Sequence, residues 1–263
     1  MNLAICSLAS GSSGNCYLIK SNNTAILADA GISARQIEQR LGALGVGCGD
    51  IEAVMITHEH SDHVKGLGVT KKSSSMKICA NEKTAAKSGM ENCSGFELFS
   101  TGDNFTVGDI LVNTFPLSHD AEDPCGYSFC CDGKRISVVT DTGIVTEEIF
   151  QAVKDSDILV LESNHDVNIL KMGRYPWFLK QRILGDKGHL SNEAAAELLL
   201  RIHREAEKKR RLILLAHLSQ ENNFPEMALT TVSNILEEAG VAVGKEMKLV
   251  TLSRTEPSSL FAI

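Results

Sequence analysis

The 263-residue chain lacks any apolar run close to the roughly 20 residues that a membrane-spanning helix needs. Its opening stretch, MNLAICSLASGSSGNCYLIK, also lacks the positively charged start of a secretory signal peptide. These two absences predict a cytoplasmic protein with no membrane partner. The length and a hydrophobic content of 43% suffice for a full core, and we predict a single domain over residues 1–263.

Cysteine pairs of the CxxC type are absent, and the eight cysteines are scattered apart from the adjacent Cys130 and Cys131. This pattern excludes a disulfide framework and a zinc finger, and it indicates reduced, mostly packed thiols. An excess of positive charge is absent too, because the net charge is −7. A surface that coats nucleic acid with cations is therefore excluded, and any polyanion must be bound locally.

Internal repeats, low-complexity tracts and linkers are also absent. The fold class is therefore predicted from the order of the expected strands and helices. The first part of the chain reads as short strands joined by turns, with one amphipathic helix capped by Ser33 and Gln36. A strand-rich middle follows, including a hairpin about Asp132-Gly133. From Thr146 onward, helices alternate with apolar strands. This order predicts an α/β protein with two sheets between helical layers.

Histidines are concentrated in the stretch THEHSDHVKG, Thr57 to Gly66, which follows the buried strand IEAVMIT. Since residues i and i+2 of an extended chain project to the same side, His58 and His60 can grip one metal ion. If a helix starts at Asp62, then Asp62 and His63 can address a second ion. The alternative is a polar surface loop. The spacing is not that of the helical HExxH motif of zinc proteases.

Three further polar residues follow apolar runs at the ends of predicted strands. They are His119 after LVNTFPLS, Asp141 after RISVVT, and His217 after RLILLA. Taken singly, each is more often just the polar residue that terminates a strand. Together with the histidine cluster, they predict a cleft at a sheet edge where several strands contribute metal ligands.

These residues carry a resemblance to a known superfamily. The HxHxDH cluster, the later His119, Asp141 and His217, and the upstream Asp29 in ILADAG resemble the ordered motifs of the metallo-β-lactamase fold superfamily. The strings SLASGSSGNCYLI, THEHSDHVKG, VVTDTG, LESNHD and KGHLSNEAAAELL more narrowly resemble the WalJ (YycJ) group of bacterial exonucleases, relatives of ribonuclease Z. The resemblance covers nearly the whole chain and implies an α/β fold, an αββα four-layer sandwich.

The resemblance also implies a centre of two divalent ions and assigns the ligands by position. One ion is assigned to His58, His60 and His119, the other to Asp62, His63 and His217, and Asp141 bridges both. Ligands of this kind suit zinc, manganese or iron alike. Two ions a few ångströms apart activate a shared water as hydroxide for attack on phosphorus.

Asp29 and His165 are predicted to support the ligands without binding metal. Asp29 is expected to accept a hydrogen bond from a ligand histidine or from the backbone of the cluster. It could alternatively cap the helix that follows ADAG. His165, in ESNHD, is expected near the cleft, either beside the metal ligands or beside His189.

Asp62 and His189 are the predicted catalytic residues. His189 precedes a helix that begins near Ser191, where backbone N–H groups favour an anion. In ribonuclease Z-like relatives, a histidine in a similar HLS context faces the scissile phosphate. The resemblance therefore assigns His189 to phosphate contact and to protonation of the leaving group. A histidine that merely sits in the loop before the helix is the alternative.

Two segments are predicted to contact substrate. The loop SGSSGN offers close backbone approach and hydroxyl donors, and Ser12, Ser13 and Asn15 are its candidate phosphate contacts. The segment LKMGRYPWFLKQRILGDKG mixes cations with Trp177, the only tryptophan. Arg174 and Trp177 are its candidates for binding a nucleic-acid strand. A plain hairpin turn and a lid with Trp177 packed into the core are the respective alternatives.

The function that the resemblance implies is metal-dependent phosphodiester hydrolysis on nucleic acid, as a 5′-to-3′ exonuclease with DNA favoured over RNA. The same framework could serve a ribonuclease, a hydrolase of small cyclic phosphodiesters, or a thioester or lactam hydrolase. A functional link to a two-component cell-wall signalling system is a further implication of the WalJ resemblance. The sequence does not set the oligomeric state.

Overall fold

The computed structural model describes residues 3–73, 75–88 and 95–263. The chain divides into two compact units. Unit 1 comprises Met1–Pro116, Ala121–Lys134 and Ser253–Ile263, and unit 2 comprises Leu117–Asp120 and Arg135–Leu252. Both units combine β-sheet with helices, in agreement with the predicted α/β class. The single-domain assignment over residues 1–263 stays a prediction.

Unit 1 contains a seven-stranded mixed sheet with the order β14-β1-β2-β3-β4-β5-β6. Its strands are β1 (Ala4–Ala9), β2 (Cys16–Lys20), β3 (Ala25–Ala28), β4 (Ile51–Met55), β5 (Lys77–Asn81), β6 (Phe96–Phe99) and β14 (Phe261–Ala262). Neighbours are antiparallel from β14 to β3 and parallel from β3 to β6. Strands β3 and β4, in the middle of the sheet, are buried almost throughout, which explains their continuous apolar runs.

The rest of unit 1 is an antiparallel meander with three helices. The meander consists of β7 (Asn104–Val107), β8 (Ile110–Pro116) and β9 (Cys125–Cys131). The helices are α1 (Ala34–Ala43), α2 (Ser61–Val64) and α3 (Glu82–Ser88). The predicted capping box of Ser33 and Gln36 is present at the start of α1. Asp132 and Gly133, with φ angles of 48° and 74°, form the predicted two-residue turn after β9.

Unit 2 is built on four parallel strands in the order β10-β11-β12-β13. The strands are β10 (Lys134–Val139, all but Lys134 in unit 2), β11 (Ile158–Glu162), β12 (Arg211–Ala216) and β13 (Met247–Thr251). The helices are α4 (Glu147–Val153), α5 (Val167–Met172), α6 (Trp177–Leu184), α7 (Asn192–Glu205) and α8 (Pro225–Glu238). The predicted alternation of helix and strand is confirmed here.

Two helices and one strand differ from the sequence-based expectation. The segment with Arg174 and Trp177 forms α5 and α6, whereas no helix was predicted there. Gly173 and Pro176 interrupt its periodicity, so no single helical pattern is visible. Strand β14 is only two residues long and gains its place through pairing of Ala262 with Ala4. A strand this short has no pattern of its own in the sequence.

The remaining composition-based expectations concern membrane spans and thiols. Within residues 3–73, 75–88 and 95–263, no helix combines the length and apolarity needed to cross a bilayer.

The seven cysteines in the described ranges are all free thiols, and five of them are buried. Burial raises the pKa of Cys125 to about 12, which keeps that thiol protonated and unreactive.

Gly66, just after α2, is held against the chain that leaves β3. Its N–H donates to the carbonyl of Ala30 at 2.7 Å, and an added Cβ would lie 1.8 Å from the carbonyl oxygen of Ile32. Gly66→Ala should therefore destabilise the protein by about 1–3 kcal/mol, because the backbone must move apart. Denaturant unfolding followed by circular dichroism measures the change.

The matched control is Gly42→Ala in α1, where an added Cβ meets no heavy atom within 4 Å. This substitution should stabilise the protein by about 0.5–1 kcal/mol, since alanine loses less conformational freedom in a helix than glycine. An unfolding midpoint of Gly66→Ala equal to or above the wild-type value would contradict the close packing around α2.

Candidate metal centre

The first cluster, defined as His58, His60, Asp62 and His63, lies in unit 1 beyond the carboxyl ends of two parallel strands. Strands β3 and β4 end in register at Ala28 and Met55. Asp29 follows β3 directly, and its backbone N–H donates to the carbonyl of Met55 at 2.8 Å. The chain after β4 therefore runs beside Asp29 and delivers the histidines at this edge of the sheet.

Asp29 is fully buried and holds the cluster by accepting hydrogen bonds. Its carboxylate accepts from the backbone N–H of Thr57 at 2.9 Å, from the Thr57 hydroxyl at 3.0 Å, and from Nδ1 of His63 at 2.7 Å. The bond to Nδ1 fixes the ring so that Nε2 is the nitrogen left to bind a metal. The alternative role as a helix cap is excluded, since Ser33 caps α1.

Thr57 was not recognised from the sequence, although it begins the histidine motif. Its hydroxyl lies 3.0 Å from Nδ1 of His58 and donates to Asp29. The hydroxyl oxygen can therefore accept the Nδ1 proton of His58, which directs Nε2 toward His60. A threonine between an apolar strand and a metal motif is the only sequence signal for this role.

His58 and His60 present nitrogens that fit a single metal ion. Nε2 of His58 and Nδ1 of His60 lie 3.1 Å apart. Two nitrogens bound at 2.0–2.1 Å to one tetrahedral ion lie roughly 3.3 Å apart. The observed separation is therefore close to that of two nitrogens that bind the same ion. The assignment of His58 and His60 as ligands of one ion stays a prediction.

Asp62 and His63 lie on the short helix α2, for which His60 is the N-cap. Oδ2 of Asp62 lies 3.6 Å from Nε2 of His63. The ring of His63 also lies close to that of His58, with 4.0 Å between the ring centroids. A carboxylate oxygen and an imidazole nitrogen at this separation can bind one divalent ion.

The Gly/Ser loop after β1 is tied to the first cluster through Asn15. The side-chain amide nitrogen of Asn15 lies 3.1 Å from Nε2 of His63, and the side-chain carbonyl oxygen of Asn15 accepts from the N–H of Gly11 at 2.9 Å. Asn15 is fully buried, and its direct contact with substrate stays a prediction. Ser12 and Ser13 at the loop tip are exposed, and Lys65 donates to the carbonyl of Ser13.

The second cluster, defined as His119, Asp141, Glu162, His189 and His217, lies in unit 2. Strands β10, β11 and β12 are parallel and in register, with Val139 opposite Leu161 and Glu162 opposite Ala216. Their carboxyl ends therefore bring three polar side chains to one edge. These side chains are those of Asp141, Glu162 and His217.

Glu162 is the central residue of the second cluster, and the sequence analysis missed it. One oxygen, Oε1, accepts from Nδ1 of His189 and from Nδ1 of His217, each at 2.8 Å. The other, Oε2, accepts from the backbone N–H groups of Thr142 at 2.9 Å and Leu190 at 3.1 Å. Its only sequence signal was its place at the end of the apolar run DILVLE.

The charge of Glu162 is maintained in a fully buried position. Burial by itself disfavours a carboxylate, but His189 and the hydrogen bonds from His189 and His217 outweigh burial and keep the pKa of Glu162 below its usual range. The carboxylate can therefore hold both rings through Nδ1 and direct Nε2 of each ring outward.

His189 is the accessible imidazole among the three of the second cluster. Nδ1 lies 3.6 Å from Oδ1 of Asp141 in addition to its bond to Glu162. Burial lowers the pKa of His189, but the charges of Glu162 and Asp141 outweigh burial and raise the pKa above its usual value. The ring follows Gly188 and precedes Ser191, whose hydroxyl caps α7 by accepting from an N–H in its first turn.

His119 and His217 flank His189 in the second cluster. The ring centroid of His189 lies 5.0 Å from that of His119 and 5.3 Å from that of His217. Nδ1 of His119 donates to the carbonyl of Gly188 at 3.0 Å, and Nε2 lies 3.9 Å from Oδ1 of Asp141. Burial lowers the pKa of His119, which favours the neutral ring that a metal ligand requires.

His165 is buried beside this cluster without a hydrogen bond from either ring nitrogen to any described residue. Its main chain is engaged, since its carbonyl accepts from the N–H of Asn192 at 2.9 Å. Burial lowers the pKa of His165 to about 4, so the ring is neutral at neutral pH. Its predicted supporting role stays a prediction.

The predicted strand-binding segment is partly exposed and partly structural. Trp177 and Arg174 are exposed, so packing of Trp177 into the core is excluded. Lys180 is buried, and its ammonium donates to the carbonyls of Lys171 and Gly173 at 2.7 Å each. Lys180 therefore joins α5 to α6 and is not available for a phosphate.

The donors of both clusters fit divalent metal ions. In the second cluster, one possible ligand atom from each of Asp141, Glu162, His189 and His217 lies within 4.8 Å of the others. All donors are imidazole nitrogens or carboxylate oxygens, which suit zinc, manganese and iron. In addition, buried carboxylates orient His63, His189 and His217 through Nδ1, the arrangement typical of metal-binding histidines.

Comparison with known proteins agrees with this chemistry. Residues 24–217 match the family model described as "Beta-lactamase superfamily domain". The chain is 40% identical to exodeoxyribonuclease YycJ of Bacillus anthracis over 95% of both chains. It is 42% identical to exodeoxyribonuclease WalJ of Streptococcus pneumoniae over 94% of this chain and 93% of that protein.

The chain belongs to the beta-lactamase superfamily and, within it, to the YycJ and WalJ family. The chain is also similar in structure to the metallo-β-lactamase fold protein YhfI from Bacillus subtilis, whose crystal structure is known. It matches 98% of this chain and 100% of its own with a TM-score of 0.72 at 12% identity, a likeness that concerns the fold alone. The predicted family and metallo-β-lactamase fold are confirmed.

Glu162→Gln tests the central carboxylate of the second cluster. The neutral amide cannot accept from all four donors, so buried N–H groups lose partners and the two rings lose their orientation. We expect metal content at limiting free metal to fall and metal affinity to drop about 10- to 100-fold. Elemental analysis after dialysis against a metal buffer provides the measurement.

The control is Glu147→Gln on α4, an exposed glutamate whose ion pair with Arg201 lies on the surface. This variant should keep wild-type metal content. If Glu162→Gln binds metal like the wild type, the orienting role assigned to Glu162 is incorrect.

Proposed function

We propose that this protein is a metal-dependent phosphodiesterase acting on nucleic acid, as a 5′-to-3′ exonuclease with DNA as substrate. The observation that carries the proposal is the arrangement of imidazoles held through Nδ1 by the buried carboxylates Asp29 and Glu162. The exodeoxyribonuclease names of YycJ and WalJ, similar over nearly the whole chain, support the choice of reaction and substrate.

The ligand assignment in this proposal follows the motif order of the superfamily. His58, His60 and His119 are assigned to one divalent ion, Asp62, His63 and His217 to a second, and Asp141 to both. When bound, two such ions supply a water of lowered pKa and neutralise charge on the phosphoryl oxygens. The donor set admits zinc, manganese or iron.

The protein's own residues supply orientation and a proton. Glu162 holds His189 through Nδ1 and, together with Asp141, raises the pKa of His189, which favours a proton on Nε2. A protonated, accessible imidazole can donate that proton to the leaving oxygen of the cleaved phosphodiester. His189 is therefore assigned as the general acid, and Asp62 is assigned to the reacting site as a metal ligand.

Ser12 and Ser13 are proposed to hold the terminal 5′ phosphate. Both lie exposed at the tip of a loop that Asn15 fastens to His63. Their hydroxyl and backbone N–H groups are suitable donors for a phosphate.

A single domain over residues 1–263, a cytoplasmic location and a link to a two-component cell-wall signalling system are further parts of the proposal.

Two substitutions separate metal binding from proton donation. Asp141→Ala should lose metal and nearly all hydrolysis of bis(p-nitrophenyl) phosphate while remaining folded. His189→Ala should keep its metal and lose about 10²- to 10⁴-fold in rate on oligonucleotides, the usual contribution of a positioned acid. Elemental analysis, circular dichroism and initial rates are measured on the same preparations.

His203→Ala serves as the control, because the ring of His203 lies on α7 at 4.0 Å from the carboxylate of Glu246 and belongs to neither cluster. It should match the wild type in metal content and rate. Metal loss in His189→Ala would make His189 a ligand instead of an acid. Faster hydrolysis of a thioester than of the phosphodiester would overturn the phosphodiesterase proposal itself.

The polarity of digestion is tested on strands labelled at either end. We expect label release from the 5′ end first, a preference for a 5′ phosphate over a 5′ hydroxyl, and resistance of circular single strands. Product sizes over time are resolved by electrophoresis, with an RNA strand of equal sequence in parallel. Rapid cleavage of circles or early release from the 3′ end would refute the exonuclease proposal while leaving a phosphodiesterase.

A further inference from the structure

Helices α5 and α6 carry an exposed apolar surface. Met172, Trp177 and Phe178 are 82%, 65% and 72% exposed. Large apolar side chains that cluster on the surface mark interaction sites more often than chance. The stacking surface is defined here as these three residues together with the exposed cations Lys171 and Arg174.

The two helices that carry the stacking surface, α5 and α6, are held by a helix cap and by hydrogen bonds from a buried lysine. Asp166 caps α5 by accepting from the N–H groups of Asn168 at 2.9 Å and Ile169 at 2.8 Å. The buried Lys180 links α6 to the end of α5, and Leu170 and Ile183 are buried on the inner side. The exposed side chains therefore project from ordered helices and do not belong to a loosely held loop.

The charge around the stacking surface favours a polyanion. Lys171, Arg174 and Lys187 are exposed, and none of them has an ion-pair partner among the described residues. Asp186 is the one acidic residue between positions 167 and 189. In a protein with a net charge of −7, this local excess of cations is complementary to a phosphate backbone.

Helix α6 carries the stacking surface at its start and is followed in the chain by His189 of the second cluster. Phe178 and Arg182 are one helical turn apart and share a face of the helix. Nε of Arg182 contacts Oδ2 of Asp120 at 2.5 Å, and Asp120 is the neighbour of His119. Past its C-terminus, α6 leads through Gly188 to His189. Phe178 therefore shares a helix face with Arg182, whose side chain contacts the residue after His119.

We propose that the stacking surface binds the unpaired bases of single-stranded nucleic acid, with a base on Phe178 and another on Trp177. The inference rests on the proposed function and deepens it by naming the form of the substrate. Bases in a duplex are stacked on each other and cannot offer their faces, whereas unpaired bases stack on exposed aromatic rings.

Trp177 is the only tryptophan in the chain, so its fluorescence reports on this surface alone. The full-length His189→Ala protein with its metal is titrated with a single-stranded oligonucleotide, an abasic strand of equal length, and a blunt duplex. We expect quenching by the single strand, little quenching by the abasic strand, and none by the duplex. Equal quenching by the abasic strand would overturn the proposal, because phosphates alone would then account for binding.

Phe178 is tested with the reporter left in place. In the His189→Ala background, Phe178→Ala should weaken single-strand binding by roughly 5- to 150-fold, the fold-change that corresponds to loss of one stacked base. Arg174→Ala should reduce the salt dependence of binding. The controls are Leu229→Ala, which removes an exposed apolar side chain from α8, and Lys248→Ala on β13. Both controls should bind like the parent protein.

The outcomes distinguish this inference from the proposed function. If wild-type protein hydrolyses bis(p-nitrophenyl) phosphate but single strands leave Trp177 emission unchanged, the stacking proposal fails and the phosphodiesterase stands. If single strands quench Trp177 but no phosphodiester is cleaved, binding stands and the enzyme proposal fails. Emission that changes with protein concentration alone, together with dimers in sedimentation, would assign the surface to self-association and overturn the inference.

Discussion

The site depends on one constraint, which is that a buried carboxylate must be surrounded by donors. Asp29 and Glu162 are both fully buried, and each satisfies this requirement with imidazole Nδ1–H groups and backbone N–H groups. The hydrogen bonds that offset the cost of burying the two carboxylates also fix the tautomers of His63, His189 and His217. Folding therefore buries each acid and orients the neighbouring histidine rings at the same time.

Parallel strands provide the positions for this chemistry. In unit 1, Asp29 and Thr57 follow adjacent parallel strands. In unit 2, Asp141, Glu162 and His217 occupy the ends of three such strands. The two units thus use the same device, in which apolar strands fix the backbone and the residues at their carboxyl ends are free to be polar. The segment between β11 and α7 adds His189 and the exposed surface of α5 and α6.

The sequence predicted most of the elements because most strands are apolar runs and because α1, α4 and α7 each begin after a side-chain cap. It also located the residues that stand out against such runs, among them His119, Asp141 and His217. Glu162 was missed because it closes a strand as an ordinary polar residue does, and only the fold shows two imidazoles meeting it. Burial of Asn15 and Lys180 was equally hidden, since a Gly/Ser loop and a cation-rich segment suggest exposure by composition alone.

Three non-glycine residues of the site adopt a left-handed backbone: Asp29, Asp141 and His217, with φ between 54° and 63°. This conformation costs a residue with a side chain of the order of 1–3 kcal/mol, and glycine avoids most of that cost. The amino acid best suited to folding at these positions is therefore one that could neither bind a metal nor hold a histidine. Selection for stability alone would favour glycine at these three positions. The side chains therefore lower the stability of the protein and are retained because the site needs them.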